Sequence, residues 1–225
     1  IAFLHTAQYF DEIGRAQIGE PLFAGKGCAQ CHSVGGKGGA VGPVLDQLRR
    51  SNSPVLVAAA MWNHGPQMAE TMKSKGIERP TFKGSELNDI IAYIVAAGRD
   101  TSGETAQVIP GTPERGETLF REKQCVTCHA VEGKGVGPDL ARGQRGSLTQ
   151  FAARMWNHGP AMWAKMKERS IEPPRLTGQE MADLLAYLYV SRYFDPAGSA
   201  SRGRTLVEAK GCVGCHSVRG KGGKA

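Results

Sequence analysis

A chain of 225 residues leaves room for one large domain or for two or three small ones. With 40% apolar and 22% charged residues it has the balance of a soluble globular protein, and its longest unbroken apolar run, Val55 to Trp62, is far too short to span a bilayer. Thirty glycines, twelve prolines and only 7% aromatic residues assign much of the chain to loops, so its core needs something besides side chains to complete it.

From the N-terminus, apolar residues recur at helical spacing over Ile13 to Ala24, just ahead of Cys28-Ala29-Gln30-Cys31-His32. A loop with Gly42-Pro43 follows. The next helix is expected over Ser53 to His64, ending at Gly65, with a new turn opening at Pro66 where a missing N–H is harmless. Ser85 to Ala97 reads as a closing helix. Thr101 to Thr112, polar and punctuated by Pro and Gly, reads as a linker. The order then recurs, with a helix over Pro113 to Lys123, the run Cys125-Val126-Thr127-Cys128-His129, a Gly137-Pro138 loop and a closing helix over Gly178 to Tyr193. A third run, Cys212-Val213-Gly214-Cys215-His216, stands near the C-terminus. Period-2 alternation is absent, so the expected fold is all-α.

The six cysteines all belong to these three runs, and none is left for a structural disulfide. C-x-x-C-H is the attachment pattern of c-type haem, in which Cys28/Cys31, Cys125/Cys128 and Cys212/Cys215 would form thioethers and His32, His129 and His216 would lie under the iron. A zinc site and a redox dithiol compete with this reading. Zinc would need a fourth ligand and usually a second Cys pair, whereas a dithiol does not require the trailing His or a threefold occurrence. Three covalent haems are therefore the expectation. The net charge of +7 would ordinarily suggest nucleic acid or an anionic surface. Three haems bring roughly six negative propionates, and the Lys and Arg are not gathered into one basic run with interleaved aromatics. No nucleic-acid partner is expected.

Repeats organise the chain. Met61-Trp62-Asn63-His64-Gly65-Pro66 recurs unchanged as Met155-Trp156-Asn157-His158-Gly159-Pro160, which defines two modules, 14–100 and 113–194, flanking the 101–112 linker. Residues 1–41 also align without a gap on residues 185–225, with about half of the positions identical. On that alignment 1–10 is the closing-helix remnant of a preceding module and 201–225 the start of a third. The expectation is a window on a longer array in which two module types alternate; a partner chain that completes the cut modules is the alternative.

These features resemble the class I cytochrome c family in tandem copies: a helix running into C-x-x-C-H, a Gly-Pro loop with a Leu (Gly42-Pro43-Val44-Leu45; Gly137-Pro138-Asp139-Leu140), a middle helix, and a closing helix with Ala92-Tyr93 or Ala186-Tyr187. The resemblance implies that the carbonyls of Pro43 and Pro138 accept hydrogen bonds from His32 and His129. It departs from the family where Met-Pro-x-Phe is usual, since the chain has Arg79-Pro80-Thr81-Phe82 and Pro173-Pro174-Arg175-Leu176 there. The family's Asn-to-Met spacing survives instead in Asn63 to Met68 and Asn157 to Met162, which implies Met68 and Met162 as distal ligands. His64 and His158, four residues earlier, are the first competitors, and Met72 and Met166, one turn later, the second. Met61 and Met155 read as core packing, and Trp62 and Trp156 as walls of the haem pocket.

Iron with two protein ligands has no open position, which suits electron transfer and not bond making. The expectation is a multihaem c-type cytochrome, an electron carrier and not an enzyme, passing electrons between redox partner proteins or along its own haems. Two other classes stay open. One is the electron-feeding part of a haem peroxidase or reductase with a five-coordinate iron at His216. The other is a subunit of a membrane respiratory complex or of an extracellular filament of further copies. Haem attachment to C-x-x-C-H outside the bacterial cytoplasm implies a periplasmic or extracellular location.

Overall fold

The computed structural model describes residues 14–49, 53–99, 109–131, 133–141, 146–193, 200–218 and 221–223. The 1–10 remnant and most of the 101–112 linker lie outside the described residues. Among the described residues seven helices carry the fold: α1 (Ala16–Gly25), α2 (Pro54–Ser74), α3 (Glu86–Ala97), α4 (Pro113–Glu122), α5 (Leu148–Glu168), α6 (Gly178–Tyr193) and α7 (Ala200–Ala209). The only sheets among the described residues are two-residue antiparallel ladders, β1 (Ser33–Val34) with β2 (Lys37–Gly38), and β3 (Ser217–Val218) with β4 (Lys221–Gly222). The fold is all-α, as its periodicity implied.

Pro54 and Pro113 open α2 and α4, where their fixed φ suits the first helical turn and no N–H is needed. Each repeat is then built on one close crossing. A Cβ on Gly19 of α1 would overlap the Asp89 carbonyl oxygen of α3, and one on Gly116 of α4 would overlap that of Asp183 of α6. Phe23 packs beside Tyr93 with ring centres 5.6 Å apart, and Phe120 beside Tyr187 at 5.8 Å. The carboxylates of Asp89 and Asp183 also hold the entry to the first helix, accepting from the backbone N–H of Arg15 and of Thr112, each at 2.8 Å. Burial opposes ionisation of Asp89, yet the bonds from the Arg15 backbone and side chain and from Ser85 keep its carboxyl below the usual range.

The middle helix departs from the sequence expectation. It does not end at Gly65 but continues through Pro66 to Ser74, and α5 likewise continues through Pro160. Residues 67–74 are mostly good helix formers, and Gly65 and Met68 pack on the apolar core, so burial outweighs the bond lost at the proline. Both helices stop in the same left-handed cap. Gly76 takes φ 66° with Ile77 N–H donating to the Met72 carbonyl at 2.9 Å, and Ser170 takes φ 54° with Ile171 N–H donating to Met166 at 2.9 Å.

Nor are the repeats packed as beads. Helices α2 and α5 cross each other, and Trp163 of α5 wedges between Gly65 and Gly159. Beyond this crossing α2 packs on α6 of the second repeat, with Leu56 against Gly178, while α5 packs on α3 of the first. Each repeat therefore lends its middle helix to the other.

Two measurements follow. Ser170→Gly should stabilise the protein by about 1 kcal/mol, because a side chain in the left-handed region is strained there, and thermal unfolding reads it. Asp89→Ala should cost about 2 kcal/mol by removing the buried carboxylate that accepts from the Arg15 backbone and side chain and from Ser85. The folded pKa of Asp89 lies below the unfolded value of about 3.9, so its contribution is complete above that pH and fades as the pH falls through the folded value. The stability gap between wild type and variant should narrow in that acid range.

Candidate functional site

Helix α1 is followed by Gly27 in the left-handed region (φ 79°), and Cys28–Gln30 then turn as a single 3₁₀ segment that returns the His32 N–H to the Cys28 carbonyl at 2.9 Å. Gln124 (φ 60°) and Gly211 (φ 72°) lead the same turn into Cys125–Thr127 and Cys212–Gly214, with His129 and His216 closing on Cys125 and Cys212 at 2.9 and 2.8 Å. All three C-x-x-C-H runs thus share one backbone conformation. The six thiols are unbridged, and burial pushes the Cys28 and Cys125 thiols up to about 11. A redox dithiol needs the opposite shift, toward thiolate. Among the described residues no group of His, Cys, Asp or Glu converges with either pair as a zinc site would need.

Each Gly-Pro loop meets the histidine of its own C-x-x-C-H run. Nδ1 of His32 donates to the Pro43 carbonyl at 2.9 Å and Nδ1 of His129 to the Pro138 carbonyl at 3.1 Å. A carbonyl only accepts, so each ring carries its hydrogen on Nδ1 and keeps the Nε2 lone pair for a metal. Gly42 and Gly137 lie against these rings so closely that a Cβ on either would overlap the imidazole. Their N–H groups bond to the Cys31 and Cys128 carbonyls at 2.7 Å, tying each Gly-Pro loop to its C-x-x-C-H turn. A fixed imidazole with a free Nε2 beside two unbridged thiols is the donor set that haem c requires.

In the middle helices, His64, Met68 and Met72 occupy successive turns of one face of α2, and His158, Met162 and Met166 the matching face of α5. Met68, Met162 and Met166 are partly buried against the apolar core, as are Met61 and Met155. The His158 ring centre lies 6.4 Å from that of His129, with the planes 64° apart.

Trp62 and Trp156 reach across the repeats through their ring N–H groups. Trp62 Nε1 donates to the Pro174 carbonyl and Trp156 Nε1 to the Pro80 carbonyl, each at 2.7 Å. The neighbouring amides pair with backbone in both directions. Asn63 donates to the Leu176 carbonyl at 2.7 Å and accepts from its N–H at 2.9 Å, while Asn157 does the same to Phe82 at 2.8 and 2.9 Å. These bonds all cross from one repeat to the other. The signal that could have shown this is the identity of Met-Trp-Asn-His-Gly-Pro within repeats that otherwise diverge, since a shared approximate two-fold contact demands the same residues twice.

Arg79 completes the junction on one side only. Its guanidinium stacks 3.8 Å from the Trp156 ring centre and 5.6 Å from that of Trp163, and donates at 2.7 Å to the Trp156 carbonyl, the group that Pro160 deprives of its helical partner. Burial lowers its pKa to about 10. The second repeat has Pro173 at the equivalent position. Lys26 bonds to the Thr81 carbonyl at 2.7 Å and to Glu86 at 2.9 Å, and Lys123 to the Arg175 carbonyl at 3.0 Å and Glu180 at 2.9 Å. Segments 79–82 and 173–176 are thereby held beside the C-x-x-C-H turns of their own repeats.

No helix among the described residues is long and apolar enough to cross a membrane. The cytochrome c family model matches residues 16–97 and again 113–190. Cytochrome c-551 of Pseudomonas aeruginosa is 34% identical over 82 residues, covering 34% of this chain and 75% of that protein. The cytochrome c-551 of Stutzerimonas stutzeri is 31% identical over 83 residues, 34% of this chain and 76% of that protein, and that of Azotobacter vinelandii 32% over 79 residues, 32% and 92%. Each relative thus spans about one repeat.

Gly65→Ala tests the crossing at this site. The new Cβ would stand 2.7 Å from the Trp163 ring, and overpacking of this kind costs about 1–3 kcal/mol. The melting temperature should fall while the circular dichroism of the helices is retained.

Proposed function

Because the chain belongs to the cytochrome c family, we propose that it is a multihaem c-type cytochrome, carrying electrons between redox partner proteins or along its own haems. The observation that supports this most is the orientation of His32 and His129 by the Pro43 and Pro138 carbonyls beside unbridged Cys pairs. Haem c, when bound, supplies a one-electron iron couple. Cys28 and Cys31, Cys125 and Cys128, and Cys212 and Cys215 would anchor one haem each, three in all, with His32, His129 and His216 as proximal ligands. The Pro carbonyls fix the ring tautomer and raise the basicity of Nε2. The buried side chains of Phe82 and Leu176, with the two middle helices, would limit water on the distal side, which favours a ligand set that changes little with oxidation state.

Met68 and Met162 are proposed as distal ligands on the family spacing. One observation favours a different ligand in the second repeat. Two imidazoles that share one metal through bonds of about 2 Å have ring centres roughly 6 Å apart, close to the separation of His129 and His158. His158 is therefore the alternative there. Attachment chemistry assigns the protein to the periplasm or the cell exterior, with a membrane respiratory complex or further copies of the array among its partners.

Mass spectrometry of the denatured protein should find three covalent haems, and a mass without haem, or with zinc, refutes the reading. For the ligands, Met68→Ala should abolish the sulfur-to-iron charge-transfer band of one haem and lower its potential, whereas His64→Ala should leave both. In the second repeat Met162→Ala and His158→Ala are compared in the same way. Loss of a low-spin signal in only the His158 variant assigns that iron two imidazoles.

A further inference from the structure

We infer that the two redox sites are built crosswise: Trp156 and Asn157 of the second repeat position the segment that covers the first haem, and Trp62 and Asn63 of the first repeat position the segment that covers the second. This rests on the haem reading above. The juxtaposition has two links. The first runs across the repeats, where Trp156 Nε1 and both faces of the Asn157 amide hold the Pro80 carbonyl and the Phe82 backbone, while Trp62 and Asn63 hold Pro174 and Leu176. The second link runs within a repeat. Thr81 is bonded to Lys26, two residues before Cys28, Ile77 lies against Gly27, and Phe82 is buried beneath the Lys26 ammonium. Arg175 is bonded in the same way to Lys123, two residues before Cys125, and Arg169 donates to the Thr127 carbonyl at 3.4 Å. The covering segment of each repeat therefore has its own C-x-x-C-H turn on one side and the other repeat's Trp-Asn pair on the other.

Two points make this positioning and not packing alone. An Asn amide that both donates to and accepts from the backbone of one residue fixes the plane of that peptide as well as its distance, which a purely apolar contact does not. The contact is also reciprocal, with the same Trp-Asn pair on both sides, so a shift in one repeat is transmitted to the other through these hydrogen bonds. Arg79 makes the first site stiffer than the second. It bonds to the Trp156 carbonyl and stacks on the Trp156 ring, and no counterpart exists at Pro173.

The test uses the haem-loaded protein with Asn157→Ala, Trp156→Phe, Asn63→Ala and Trp62→Phe. Covalent haem is first counted by mass; a count of zero in the wild type defeats the haem reading itself and is separate from the crosswise claim. The hyperfine-shifted haem methyl resonances of the ferric protein, assigned to each repeat by contacts to its neighbouring side chains, and the individual reduction potentials are then recorded. Asn157→Ala and Trp156→Phe should shift chiefly the haem held by Cys28 and Cys31, and Asn63→Ala and Trp62→Phe chiefly the one held by Cys125 and Cys128. Trp→Phe keeps the ring and removes only the N–H, so it carries the test if either Asn variant fails to fold. Larger shifts at the haem of the mutated repeat, or no shift at either, overturn the inference.

Discussion

The close approach of two helices at a glycine is the constraint on which each repeat depends. Where α1 crosses α3, Gly19 lets the backbone come into contact with the Asp89 carbonyl, and Gly116 does the same where α4 crosses α6. At that separation the Asp carboxylate, four residues from the Tyr that flanks the same glycine, reaches the N–H that begins the first helix. The direction of α1 is thus fixed at two points, by the carboxylate at its start and by the crossing at Gly19. The C-x-x-C-H turn begins three residues beyond its last turn and inherits that direction. The Gly-Pro loop then needs to find only the turn, through Gly42 and Gly137, to bring a carbonyl under each histidine.

Much of this was legible in the sequence because it is local. The C-x-x-C-H runs, the Gly-Pro loops and the flanking helices act over spacings of a few to about a dozen residues, and periodicity and turn chemistry describe such spacings well. The middle helix was misread at Gly65-Pro66 for a reason that is not local. A proline inside a helix strands the carbonyl four residues earlier, which favours a stop when the helix is considered alone. In the folded chain burial of Trp62 and Gly65 outweighs that loss in α2, and in the matching helix α5 Arg79 supplies the bond that Pro160 removes at Trp156, from a segment 77 residues away. The same holds for the roles of Trp62 and Trp156. Apolar rings on a helix beside a haem motif suggest pocket walls, and only the position of Pro174 and Pro80 shows that their N–H groups reach the opposite repeat.

The exchange of middle helices changes what a tandem arrangement means physically. Repeats joined by a flexible linker would unfold and titrate independently, and their relative orientation would be averaged. Here α2 and α5 bury Trp62, Trp156 and the small residues Ala58, Ala59, Ala152 and Ala153. Removing either helix would leave apolar faces of both repeats in water, at about 25 cal/mol for each Å² exposed. The pair therefore constitutes one cooperative unit, and the geometry between its two C-x-x-C-H turns is set by packed helices and not by the length of the connection. Fixed geometry is the condition under which electrons can pass between two centres at a defined rate.

The junction also contains a charge with no opposite charge paired to it among the described residues. Burial lowers the Arg79 pKa to about 10, which leaves the guanidinium ionised at neutral pH. Its stabilisation comes from the faces of Trp156 and Trp163 and from one carbonyl, while its Nε and the Trp163 Nε1 are buried without a hydrogen-bond partner among the described residues. A planar, weakly hydrated cation tolerates such a site, because it can stack and donate in its plane at the same time. An ammonium could bond to the Trp156 carbonyl but could not stack on the rings, and its stronger hydration would oppose burial. The arginine is thus matched to two demands that only the assembled pair imposes: a carbonyl freed by Pro160 in one repeat, and a loop in the other that must lie flat against Trp156.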